Sequence, residues 1–191
     1  VEYHDPEGRL GTIYASTVFN NNIYLGTNHG LFYKPYLSSL DYVFIKGTGG
    51  QVWSLNIIGD ELFCGHNSGT YLIKDNKADL IVDIMGTWDV KPLKNIENAV
   101  IQGNYSGIYI LTKQDGEWKL RNKISGFDIS SKNFEQSDSN KFLVNHEYKG
   151  IYSLELNEDF SSVITYNRIE SFSEGANSSL VKFDNKIYYG S

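Results

Sequence analysis

Short apolar runs alternate with polar turns along the whole chain, and this pattern predicts β-strands. Glu61–Ile73 shows it clearly: an apolar run ends at Gly65, polar residues turn the chain, and a second apolar run follows Gly69. Two short runs rich in β-branched and aromatic residues, joined by a glycine-containing loop, are typical of a β-hairpin. No window convincingly shows the i, i+3, i+4, i+7 spacing of an amphipathic helix. The pattern therefore predicts an all-β chain.

The same hairpin returns at a nearly constant interval. The glycines that follow its turn are Gly30, Gly69, Gly107 and Gly150, which lie 39, 38 and 43 residues apart. A repeat of about 40 residues in which each unit carries strand patterns is typical of β-propeller blades. We therefore predict a β-propeller with four-stranded antiparallel blades.

The repeats predict about four and a half blades within a single partial propeller domain over residues 1–191. The blades are expected at about 11–46, 51–84, 87–125 and 127–169, with an incomplete one at 176–191. In the fourth blade the first strand is expected at Phe127–Ser130, although the polar stretch 131–140 could form a long loop instead.

The incomplete fifth blade leads us to expect a piece of a larger propeller. Such a piece would be an open arc with exposed strand edges, and exposed edges invite self-pairing, so a homodimer is one expected assembly. The alternative is a small closed propeller that the N-terminal ten residues complete.

Composition narrows the class of partner. The chain has 17 basic and 23 acidic residues, for a net charge of −6, and no cluster of Lys and Arg. We therefore expect no direct nucleic-acid contact and no binding to anionic lipid. No apolar stretch reaches about 18 residues, so membrane attachment is expected only through segments outside this chain.

Neither cofactor nor metal is expected. The single cysteine, Cys64, sits at an apolar strand position, which favours a buried inert thiol over a nucleophile. His29, His66 and His146 belong to different repeats, so they would lie too far apart to share one metal ion.

Four stretches resemble a known family. Ile23–Leu31 resembles the two-component-regulator propeller repeat. Leu62–Thr70, Gly86–Trp88 and Asn145–Gly150 resemble the sensor part of bacterial transmembrane regulators in which a propeller accompanies a triple-tyrosine domain. The third and fourth repeats depart from the pattern, since Gln102-Gly103 and Asn145-His146 stand where Gly-Thr is expected. We expect those two turns to be shaped differently.

The resemblance implies a ligand sensor in the periplasm or outside the cell, as part of a protein anchored in the inner membrane. Such proteins pass a signal through one membrane helix to a histidine kinase or a DNA-binding output domain, and many similar sensors control polysaccharide use. The ligand implied is a small molecule or an oligosaccharide. The triple-tyrosine domain, the helix and the output domain are not in this sequence.

Candidate ligand-binding residues lie in loops that should open on one propeller face, at the channel mouth. These are the loop after the second strand of each blade and the loop entering the first. Aromatic rings stack on a ligand, while amides both donate and accept hydrogen bonds, which suits a sugar or another polar ligand. The alternative is ordinary turn chemistry, for which Asn and Gly are common. The candidates are His29, Trp53, His66, Asn67, Trp88, Asn104, Tyr105, Glu147 and Tyr148.

Two other functions remain open. Catalysis by this chain alone is not expected, because Asp60, Asp75, Asp115 and Asp184 fall in turns rather than in the paired arrangement of a glycosidase. An extracellular carbohydrate-active enzyme would need its acids in blades outside this chain. A protein–protein interaction propeller would instead expose a flat apolar patch on its binding face.

Overall fold

The computed structural model describes residues 7–172, 175 and 177–190, and every regular element among them is a β-strand. None of the described residues forms a helix that could span a membrane. The strands are β1 (Ile13–Phe19), β2 (Asn22–Thr27), β3 (Leu31–Pro35), β4 (Val43–Phe44), β5 (Val52–Ile58), β6 (Glu61–His66), β7 (Gly69–Lys74), β8 (Lys77–Val82), β9 (Thr87–Pro92), β10 (Ala99–Asn104), β11 (Gly107–Gln114), β12 (Glu117–Lys123), β13 (Asn133–Gln136), β14 (Lys141–His146), β15 (Gly150–Leu156), β16 (Val163–Ile169), β17 (Ser179–Phe183) and β18 (Lys186–Gly190).

Consecutive strands pair with one another, so each repeat forms its own sheet. β1–β4, β5–β8, β9–β12 and β13–β16 make 4-stranded sheets, and β17 pairs with β18 in a 2-stranded hairpin. In the sheet β5–β8, for example, all neighbouring strands run antiparallel. This arrangement confirms the prediction of four-stranded antiparallel blades. Residues 1–6 lie outside the described residues, and so do Ala176 and Ser191 of the predicted fifth blade.

The chain divides into two compact units, Val1–Val90 and Lys91–Ser191. The core of the first unit is formed by side chains from successive sheets, among them Leu31, Val52 and Leu62. The core of the second unit joins Ile101 of the third sheet to Phe134 and Phe142 of the fourth, and all three are fully buried. In each unit the sheets therefore pack face to face through apolar side chains, as propeller blades do. That both units belong to one domain stays a prediction.

The first strand of the fourth sheet is not where the apolar pattern placed it. Residues 127–130 form no strand, and β13 begins six residues later, at Asn133. Phe127 is apolar because it is a buried core residue in the preceding loop. Two of the four residues of β13 are the polar Glu135 and Gln136, both buried. The prediction of Phe127–Ser130 was wrong because hydropathy does not reveal a strand in which two of the three buried residues are polar.

Gly26, Gly65 and Gly103 are equivalent in strand register, and each lies where a sheet meets the next. The third repeat therefore keeps its glycine, and the alignment of Gln102-Gly103 with Gly-Thr was wrong by one residue. A Cβ on Gly65 would lie 2.7 Å from the carbonyl oxygen of Thr87, and one on Gly103 would lie 1.9 Å from that of Ser131. In the fourth repeat Asn145 takes this place, and its Nδ2 donates to Ser178 Oγ at 2.9 Å. The close backbone contact is thus replaced by a side-chain bridge, which explains the departure of this repeat from the glycine pattern.

Candidate functional site

Three aromatic rings from successive repeats lie against one another in the first unit. Tyr14, Trp53 and Trp88 are each the second residue of their strand, in β1, β5 and β9. The ring centroids of Tyr14 and Trp53 are 5.0 Å apart with a tilt of 41°, and those of Trp53 and Trp88 are 4.7 Å apart with a tilt of 45°. Tyr14 is 45% exposed, and both tryptophans are half-buried. We call these three residues the aromatic row.

Two members of the aromatic row lie where the pairing register between strands is irregular. In β1 the pairing shifts between Ile13 and Ala15, and in β5 it shifts in the same way between Val52 and Ser54. The residues at these shifts are Tyr14 and Trp53. β-Bulges often re-aim a side chain next to a functional site. Two consecutive repeats therefore use the same backbone device to present an aromatic ring.

Tyr14 is the member of the row that the sequence analysis missed. The signal was present, since Tyr14 precedes Gly26 by 12 residues and Trp53 precedes Gly65 by the same 12. Trp88 breaks this spacing because a longer loop, residues 93–98, separates β9 from β10. Aligning the repeats on their glycines would have revealed Tyr14.

His66, another sequence candidate, is an interior residue. It is 2% exposed, its Nδ1 accepts from the Ser68 N–H at 2.9 Å, and its Nε2 lies 3.2 Å from the Thr48 carbonyl oxygen. This pattern fits a neutral ring with its proton on Nε2. Burial lowers the pKa of His66 below its ordinary value of 6.5, and the hydrogen bond to Thr48 offsets part of that effect. Both ring nitrogens therefore serve the fold.

The two remaining candidates of the first unit lie in turns. Asn67 joins two loops through its backbone: its N–H donates to Gln51 O at 2.9 Å, and its carbonyl accepts from Gly86 N at 2.8 Å. His29 is exposed, and its Nδ1 lies 3.1 Å from the carbonyl oxygen of Arg9. Asn67 thus ties together the loops that enter β5 and β9, beside the aromatic row.

The candidates of the second unit divide between its interior and its surface. Asn104 is fully buried, and its Oδ1 accepts from Gln102 Nε2 at 2.9 Å. Tyr105, next in the chain, is partly exposed. Glu147 forms an ion pair with Lys132, and Tyr148 is 70% exposed. A ligand could reach the last three, but not Asn104 in this conformation.

Other reactive groups are accounted for by the fold. Burial raises the pKa of the Cys64 thiol to about 12, so the thiol is protonated at neutral pH. In the second unit the Glu135 carboxylate accepts from Lys91 Nζ at 2.7 Å and from the Lys182 N–H at 3.1 Å. Within the described residues no group of three or more His, Cys, Asp or Glu side chains could hold a metal ion.

Comparisons with known proteins show the fold. No known protein family matches the chain, and no curated protein matches it. The WD40 β-propeller domain of Doa1 is similar, with a TM-score of 0.57, 14% identity and coverage of 82% of this chain and 54% of that chain. The extracellular domain of the putative hybrid two component system BT3049 from B. thetaiotaomicron has a TM-score of 0.68, 13% identity and coverage of 94% and 27%.

The fold is a partial β-propeller. A computationally designed protein, Ika8, is also similar, with a TM-score of 0.62, 16% identity and coverage of 96% of this chain and 57% of that chain. The chain therefore spans about half or less of the length of these three proteins. At such identities the likeness is one of fold, and the ligand-binding role of every candidate residue stays a prediction.

Proposed function

We propose that this chain belongs to the extracytoplasmic, ligand-sensing propeller of a bacterial two-component or one-component signalling protein. Its likeness to the extracellular domain of a two-component system, over 94% of the chain, supports this proposal. So does the resemblance of its repeats to sensor propellers in sequence. The proposed ligand is a small molecule or an oligosaccharide, with a link to polysaccharide use and to the control of transcription. Membrane attachment is proposed only through segments outside this chain, and the proposed assembly is a homodimer.

The aromatic row is the observation on which the binding role depends. A contiguous set of aromatic side chains that stays partly open to solvent is unfavourable for a soluble domain, and such patches often mark binding sites. Tyr and Trp combine a large apolar face with one polar group, which suits recognition of ligands that are part apolar and part polar. Ligand binding would then shift the equilibrium between two states of the whole receptor.

Thermal denaturation of the 191-residue chain against a ligand panel tests the proposal. The panel contains oligosaccharides of several linkages, monosaccharides and peptides. A ligand that binds only the native state at about 100 times its Kd stabilises it by about 2.7 kcal/mol, which raises Tm measurably. We expect a shift that Trp88→Ala abolishes and Tyr36→Ala, a change at a 50% exposed aromatic outside the row, leaves unchanged. The absence of any shift across the panel would contradict the sensor role.

A protein-interaction propeller is the second candidate, and exposed apolar residues near β4 favour it. Leu37 is 76% exposed, and Leu40 and Val43 are also largely exposed. Leu37 has a φ of 59°, an unusual conformation for this residue type, and lies in the turn after β3. Under this alternative a peptide of the panel, and no sugar, would raise Tm, and Leu37→Ser would abolish that effect.

A further inference from the structure

Trp53, at the centre of the aromatic row, carries an indole N–H that is buried without an acceptor. Across the residues that the structure describes, two other buried side-chain polar atoms lack a partner, and one of them is Ser54 Oγ on the next residue. An unpaired buried donor destabilises the fold. Native folds rarely leave such atoms unpaired, and each case calls for an explanation. The unpaired N–H of Trp53 makes this point of β5 suited to a polar ligand.

The geometry of the row limits what that ligand can be. The rings touch at centroid distances of 5.0 and 4.7 Å, so they form one continuous surface without a slot between them. Proline-rich peptides dock in aromatic-lined grooves, and touching rings leave no such groove between them. A continuous aromatic surface favours a ligand that is itself a ring with an apolar face. The tilts of 41° and 45° turn this surface from one ring to the next.

A pyranose whose hydroxyl groups are all equatorial meets both requirements. Its axial C–H bonds make each face apolar, and its hydroxyl oxygens accept hydrogen bonds around the edge. The groups that the row offers are neutral: two indoles and one phenol. A ligand without charge therefore fits them, because burying an uncompensated charge here would cost far more than burying a hydroxyl.

Resting on the sensor function proposed above, we propose that the aromatic row binds a neutral saccharide of β-linked, gluco-configured rings. Sugar rings stack on Tyr14 and Trp88, and a ligand hydroxyl accepts the hydrogen bond of Trp53 Nε1–H. That atom is covered in the structure, so Trp53 turns within the row as the ligand binds. Binding is thereby coupled to a movement of the Trp53 side chain on β5.

Isothermal titration of the 191-residue chain with cellopentaose tests this inference. Mannopentaose, whose axial hydroxyl interrupts one face of each ring, and a proline decapeptide serve as comparison ligands. Trp53→Phe keeps an aromatic ring and removes the N–H, so it should weaken cellopentaose binding about 3–10-fold. Tyr14→Ala should weaken it at least about tenfold, because a stacked ring is lost. Tyr36→Ala, at an exposed tyrosine outside the row, should leave it unchanged.

A proton–nitrogen NMR spectrum of the unaltered chain gives a second readout, for which a variant serves only to assign one signal. The chain contains three tryptophans, so three indole N–H signals are expected. Trp53→Phe assigns the signal of Trp53, which should move on titration with cellopentaose as the N–H gains an acceptor. The signal of Trp118, whose ring lies in the second unit, should stay in place.

The outcomes separate this inference from the sensor function. Cellopentaose binding that none of the row variants weakens would overturn the aromatic row as the site and leave the sensor function standing. Binding of the proline peptide in place of the sugar would overturn the ligand class. A Tm shift with another small molecule, without any binding of gluco-configured sugars, would also overturn the ligand class. The sensor function itself fails if no saccharide and no other small molecule of the broader panel stabilises the chain.

Discussion

A methyl group at Gly103 should force the third and fourth sheets apart. Gly103 lies on β10, and a Cβ there would stand 1.9 Å from the Ser131 carbonyl oxygen and 2.9 Å from the ring of Phe134. The backbone of Gly103 is outside the left-handed region, so its conformation would accept alanine. Only the lack of space forbids a side chain. An ordinary contact begins at 3.4 Å, so the backbone around Ser131 must withdraw by more than an ångström.

The expected cost follows from two contacts. Overpacking of a well-packed interior costs about 1–3 kcal/mol. The displacement also strains the hydrogen bond from Ser131 N to Asn104 O, now 3.0 Å long, which is worth about 0.5–1.5 kcal/mol. Together these predict a loss of about 2–4 kcal/mol from the free energy of unfolding. Domains of this size lose about 2–4 °C in Tm per kcal/mol, so Tm should fall by about 5–15 °C.

Urea denaturation followed by circular dichroism measures this loss. Gly190→Ala is the matched control in the same unit, because nothing lies within 4 Å of its Cβ position. We expect Gly190→Ala to change stability by less than about 0.5 kcal/mol. If Gly103→Ala unfolds at the urea midpoint of the unaltered chain with an unchanged slope, the assignment of Gly103 to a tight contact between sheets is refuted.

Three further predictions concern ionisable side chains. Burial lowers the pKa of His66 in the folded state, so the stability that neutral His66 contributes is present above about pH 6.5 and is lost as the pH falls below that value. The free energy of unfolding should therefore drop less between pH 7.5 and 5 in His66→Gln than in the unaltered chain. Cys64, with its pKa raised to about 12, should react with a disulfide reagent at pH 8 in urea but not in buffer, and equal rates would contradict its burial. Glu135→Gln should lower the free energy of unfolding by about 1–3 kcal/mol in urea denaturation, because the Lys91 ammonium loses its charged partner. Glu117→Gln, which removes an exposed ion pair, should lower it by less than about 0.5 kcal/mol.

The fold was predictable from the sequence because its repeat is local. Each hairpin carries its own turn, and Gly69 has a φ of 151°, a conformation that favours glycine and fixes the end of the turn. The role of Gly65 was not predictable in the same way. Its φ needs no glycine, and the residue is small because the backbone of Thr87, 22 positions later, lies against it. Such a contact depends on packing between sheets, which no local pattern records.

The candidate site was predictable only in part. Residue type alone pointed to Trp53 and Trp88, whereas Tyr14 looked like one of many strand tyrosines. The register shift that presents Tyr14 has no sequence signature of its own. His66 looked accessible because it ends a strand beside a polar turn. Its burial comes from Thr48, which is 18 residues away in sequence.

The repeat separates the positions whose side chains are buried and hydrogen-bonded within the fold from the positions that we propose face a ligand. The last residue of the second strand is buried in each of the first three sheets, where its side chain is hydrogen-bonded: these residues are Thr27, His66 and Asn104. The second position of the first strand holds Tyr14, Trp53 and Trp88 in the first unit, and there the rings contact each other and stay partly open to solvent. Lys132 is the equivalent residue of the fourth repeat, because it follows Ser131, whose carbonyl lies against Gly103 as that of Thr87 lies against Gly65. Its partner is Glu147. Substitution at this position can therefore change the chemistry offered to a ligand from aromatic to charged, because the contacts between sheets depend on backbone atoms and on other residues.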